Sequence, residues 1–182
     1  ESGRGKSAAI EVSRSIRPSS QRVTMASIND ELSALFTRDL KRLVRQLDAI
    51  DDAHLWQVLP GVTNSAGNLM LHLNGNLREF VGRQLGGVAY VRDRPREFAA
   101  TNVPRAEMRA ELTELSSLVP GVIDRMTEGR WIDHFPDNVL GEPLSNRQFV
   151  MHLYGHLTYH LGQIDYLRRV LTGNGALPPA PK

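Results

Sequence analysis

The chain contains no cysteine. That absence excludes a disulfide framework, a thiolate zinc site and a cysteine nucleophile, and it fits a reducing compartment. Long apolar runs are missing too: none approaches the ~20 residues needed to span a bilayer. No charged start followed by an apolar stretch marks a secretory signal, so a cytoplasmic location is the expectation. There is no glycine-rich phosphate loop, no internal repeat and almost no strand-like alternation. A strong net charge is also lacking, although the formal value of +2 needs dissection. Residues 1–24 hold five Lys/Arg against two Asp/Glu, whereas the remainder holds seventeen against eighteen. The body is therefore close to neutral, which argues against a nucleic-acid surface with its clustered basic face.

What is present suits one compact domain of 182 residues. Residues 1–24 are rich in Ser and Arg and poor in large apolar side chains, so a disordered tail is expected over 1–26. Met25 then reads as the natural start with upstream sequence before it; the alternative is an Arg/Ser-rich transit peptide. From there the spacing predicts four amphipathic helices. The first covers about 29–50, with Leu32, Leu35, Phe36, Leu40, Leu43, Leu47 and Ile50 at three- and four-residue intervals. Ser27 and Asp30 form a capping pair at its start. The second runs from Asn64-Ser65 to about Gln84 and ends at Gly86-Gly87. A long connection over 86–103 follows, of the kind that is functional or disordered. Pro104 opens the third helix, which Pro120-Gly121 should kink or break before about Thr127. Residues 129–144 read as irregular. Ser145 and Gln148 form a capping box for the fourth helix, which reaches about Leu171 before Gly173 and a flexible tail over 173–182. The fold class is all-α, a four-helix bundle over 27–172.

The fourth helix carries a histidine ladder: His152, His156 and His160, followed by Leu161-Gly162-Gln163. Residues four apart share a helix face and stand roughly 6 Å apart along the axis. Two neighbouring rungs can therefore grip one metal ion, but the outer two, roughly 12 Å apart, cannot share it. His156 and His160 fall within the apolar stripe Phe149, Leu153, His156, His160, Ile164, Leu167 and Leu171. Unpartnered imidazoles in a bundle core are costly, and bundle cores are where facing helices build metal sites. His54 and His134 lie in connections. His72 lies mid-way along the second helix, flanked by Asn68 and Asn76 at four-residue spacing. This polar strip should face water or a site. Gly75 suggests close approach of another group, and Gly155 and Gly162 invite the same reading.

His72, His156 and His160 together give a three-imidazole site bridging the second and fourth helices, with a fourth position open. Imidazole suits zinc, nickel, iron or copper. Gln163, Asn68 and Asn76 are candidates for orienting the ligands. Two readings compete: His152 as ligand in place of His160, and histidines that are merely surface or hydrogen-bonded core residues.

These segments resemble the DinB-like, YfiT-like superfamily of metal-binding four-helix bundles. The resemblance rests on the helix-2 segment from Asn64 to Leu77 around His72, on His156-Leu-Thr-Tyr-His160-Leu-Gly-Gln163, and on the loop from Gly86-Gly87 through Arg92-Asp93-Arg94 to Glu97-Phe98. It covers about 27–172. Leu161 stands where many members have a basic residue. The resemblance implies His72, His156 and His160 as ligands of a divalent metal, zinc or nickel first and iron next. It also implies a homodimer and a small-molecule substrate, its relatives including thiol-dependent transferases and isomerases and metal-dependent hydrolases.

Three functions follow as expectations. The first is transfer of a low-molecular-weight thiol to an electrophile, with Arg92, Arg94 and Arg96 binding an anionic cofactor; their alternative is a solvated loop with Asp93 and Glu97 as local partners. The second is metal-dependent hydrolysis. Its general base would be Glu79, roughly 10 Å along the axis from His72, or Asp165, on a different face from His160. The third is a non-enzymatic metal-binding or interaction module.

Overall fold

The computed structural model describes residues 26–178. All but the last residue of the tail expected at 1–26 lies outside the described residues, as does the end of the C-terminal tail. The first helix, α1 (Ile28–Asp48), starts where Ser27 Oγ accepts the Asp30 N–H and Asp30 accepts the Ser27 N–H, the expected reciprocal cap. Leu32, Phe36, Leu40, Leu43 and Leu47 bury its stripe. A short α2 (Asp52–Leu55) leads to α3 (Ala66–Leu77), capped by the buried Ser65. α3 passes directly into a π-helical segment, Arg78–Leu85. α5 (Arg105–Ile123) and α7 (Asn146–Thr172) complete the four long elements, with α4 (Arg94–Ala99) and α6 (Glu128–Ile132) between them.

Three expectations change. The connection at 86–103 is not without structure: Asp93 accepts the Arg96 N–H and Pro95 occupies the first turn, so α4 forms and packs on α3. Within 129–144, Thr127 caps α6, whose buried Trp131 donates its indole N–H to Asn29 Oδ1 at 2.6 Å. Pro120 does not break α5. It lies in the last turn, and Val119, Pro120, Val122 and Ile123 are buried together, so packing offsets the missing N–H.

α1 packs on α5 and α7, and α3 packs on α7 while its π continuation packs on α5. The consecutive long helices α1 and α3 are thus diagonal in the bundle. Gly82 and Gly86 let the π segment approach Leu118 and Val122 of α5, where a Cβ would crowd both side chains. No helix among the described residues is long and apolar enough to cross a membrane.

The C-terminal stretch expected as a flexible tail is, as far as Pro178, tied to the bundle. Arg168 is buried on α7 and donates to Gln46 Oε1 (2.7 Å), Asp165 Oδ1 (3.1 Å) and the carbonyls of Asn174 and Gly175. Arg45 donates to the Pro178 carbonyl. One cation therefore joins α1, α7 and the chain that follows. Arg168→Met should lower unfolding free energy by about 2 kcal/mol in urea titration; an unchanged midpoint would contradict this role.

Candidate metal centre

His72 projects from the middle of α3, and His156 and His160 project from successive turns of the facing α7. Their ring nitrogens converge. His72 Nε2 stands 3.2 Å from His156 Nε2, and His160 Nε2 stands 3.1 Å from the same atom. All three fall within 4.8 Å of one another. His72 is buried and the other two are half-buried.

The outward nitrogens decide the protonation. His72 Nδ1 lies 2.9 Å from Glu97 Oε2, so it carries the proton and donates it. His160 Nδ1 lies 2.6 Å from Gln163 Oε1, an oxygen that only accepts. In their neutral forms both rings therefore turn an unprotonated Nε2 inward. His156 Nε2 faces both of them, and a single proton there can satisfy only one. The other contact sets lone pair against lone pair. His156 Nδ1 is buried with no partner, so the alternative tautomer relieves nothing. Burial, followed by the neighbouring His160, His72, His152 and Arg92, pushes the His156 pKa down to about 4. Burial likewise lowers that of His160, against the opposing effect of Gln163. A proton is thus a poor occupant of this cluster. A divalent cation fits: with bonds of ~2.0–2.1 Å, tetrahedral coordination separates nitrogens by about 3.3–3.4 Å, close to the spacing observed.

A second layer holds His72. Glu97 comes from α4 and is 5% exposed. Arg92 clamps it from two nitrogens, to Oε1 at 2.7 Å and Oε2 at 2.8 Å. Burial raises the Glu97 pKa, but the hydrogen bonds from His72 and Arg92 and the charge of Arg92 outweigh it and leave the carboxyl below its usual range. Asn68 donates to the Glu97 and Ala100 carbonyls at 3.2 and 2.9 Å, fastening α4 to α3. Gly75 is the permissive position, since a Cβ there would overlap Glu97 Oε1.

The family model described as mycothiol-S-transferase matches residues 31–173. The chain belongs to the mycothiol-S-transferase family. No curated protein matches it. Its fold is that of DinB-like proteins. One from Bacillus subtilis aligns with a TM-score of 0.61 at 15% identity, over 81% of this chain and 95% of the other. One from Bacillus cereus gives 0.61 at 18% identity, over 80% and 95%.

In this mycothiol-S-transferase family member the other expected site residues separate. His152 is exposed, its ring stacked between Phe149 and His156 and outside the converging cluster. Gln163 accepts from His160 Nδ1, whereas Asn68 bonds to the α4 segment and to none of the three histidines. Asn76 is buried, but its Oδ1 has no partner. The arginines do not form one anion cradle: Arg92 grips Glu97, Arg94 lies over the Phe98 ring, and Arg96 pairs with Glu107. Gly155 and Gly162 meet no close neighbour, because both lie on the exposed face of α7.

Sequence reasoning gave Glu97 only a loop role. The available signal was the polar strip Asn68–His72 beside Gly75, which needed a buried acceptor to face. Glu97→Gln should weaken metal binding by about 10–100-fold in competition with a chromophoric chelator. Gly75→Ala should move affinity the same way by displacing the carboxylate. Wild-type affinity in both would contradict the relay.

Proposed function

We propose that the protein transfers a low-molecular-weight thiol, mycothiol first, to an electrophilic small molecule at a divalent metal held by His72, His156 and His160. The single observation that carries this is the three-imidazole cluster, two of whose members have their protons committed outward, in a chain of the mycothiol-S-transferase family. Three imidazoles suit zinc, nickel, iron or copper, and the family resemblance puts zinc or nickel first with iron next. A bound divalent metal would supply the Lewis acidity that lowers a thiol's pKa and keeps it as thiolate.

The protein's own residues do the rest. Glu97 and Arg92 fix the tautomer and orientation of His72, and Gln163 does so for His160. The chain has no cysteine, so the reacting sulfur arrives from solution. In the reaction the thiol loses its proton to solvent. Its sulfur forms a bond to the electrophilic carbon as the leaving group departs with the bonding pair.

Neither carboxylate expected as the base for hydrolysis is free. Glu79 is held by Arg83 and Gln84, and Asp165 by Gln46, Arg168 and Arg169. Glu97, the acid that does reach the cluster, is committed to His72 and Arg92.

Metal-loaded protein mixed with mycothiol and an alkylating electrophile should form the thioether faster than the uncatalysed mixture, and a chelator should abolish the excess rate. Absence of a metal-dependent excess across mycothiol and other small thiols would reject S-transfer.

A further inference from the structure

A cleft of about 610 Å³ reaches the edge of the histidine cluster at His160, with Gln163 beside it; His72 and His156 are not among its lining residues. Its other walls include Leu59 and Val62 from the connection before α3, Leu69 from α3, and Tyr159, Tyr166 and Val170 from α7. Among the described residues, no Asp, Glu, Lys or Arg lines it. That sets it apart in a chain where such residues make up 23%. A larger cleft, about 890 Å³, lies between α1 and the C-terminal stretch, but it is lined by Arg38, Lys41, Arg42 and several acids and touches none of the three histidines. A polar cleft of about 280 Å³ backs onto Glu97 and is lined by Arg78, Arg96, Glu111 and Glu114.

The cleft at His160 has the size of a small-molecule site and mainly apolar walls with a few polar groups. Tyr159, Tyr166 and Val170 are largely exposed, at 64%, 72% and 64%. Exposed aromatic and aliphatic side chains grouped beside a reactive centre gain from covering by an apolar ligand. The connection that forms one wall turns at Gly61, whose φ of +78° suits glycine.

We infer that this cleft binds the uncharged aromatic or aliphatic body of the electrophilic acceptor, placing its reactive carbon beside the cluster. The inference deepens the S-transfer reading and rests on it. No carboxylate is among the described lining residues, so a strongly cationic acceptor finds no countercharge there.

The test uses two exposed or half-exposed positions, Val62→Asp and Val170→Asp, whose folding and metal content are checked against wild type. Binding of the neutral fluorophore N-phenyl-1-naphthylamine, read without turnover, should weaken by about tenfold or more in each variant. KM for an aromatic alkyl halide should rise by a similar factor with kcat little changed, and KM for iodoacetamide should stay put. Equal fluorophore affinity and equal KM in wild type and variants would overturn the inference even if S-transfer is observed. Displacement of the fluorophore by thiol alone would overturn it by assigning the cleft to the cofactor. Conversion of a dimer to a monomer by Val170→Asp, without fluorophore binding in wild type, would overturn it by assigning the face to a second copy of the chain. Weakened fluorophore binding in the variants, combined with no turnover for any thiol in wild type, would reject S-transfer while keeping the cleft as an apolar ligand site.

Discussion

His156 Nε2 is faced at hydrogen-bond distance by two nitrogens that have no proton to give. Glu97 and Gln163 have taken those protons to the outer side of the rings. The neutral protein therefore cannot pair all three inward nitrogens, and burial makes an added proton unfavourable. A cation resolves what a hydrogen-bond network cannot. Everything else at the site serves to keep this arrangement from relaxing.

The bundle supplies that rigidity. α3 and α7 are neighbours because α1 and α3 take diagonal positions, and this adjacency brings His72 across to the histidines of α7. α4 then delivers Glu97 behind His72, and Gly75 leaves the space it occupies. Asn68 and Arg92 hold the carboxylate's segment and its charge. Loss of any one of these would let His72 rotate or exchange tautomer without removing a ligand atom.

Much of this was legible in the sequence. Apolar spacing and two capping boxes located the four long helices, and the position of His156 and His160 within a stripe marked them as inward-facing. The interval from His72 could not be read from periodicity, because it depends on which helices are adjacent; the polar strip around it and the family resemblance supplied the link. α4 was missed because six residues show no amphipathic period, although Asp93 and Pro95 carried its start signal. Arg92, Arg94 and Arg96 looked equivalent in sequence and are not, since a helix start between them sends each side chain to a different partner. Gly75 and Gly155 looked alike too, yet only Gly75 faces a packed neighbour.

The proposed site needs His72, His156 and His160 to hold one divalent metal. Elemental analysis of purified wild-type protein beside His72→Ala tests it most directly. About one metal per wild-type chain is expected, as three-ligand sites bind a single ion, with little or none in the variant. Equal metal content in the two would contradict it.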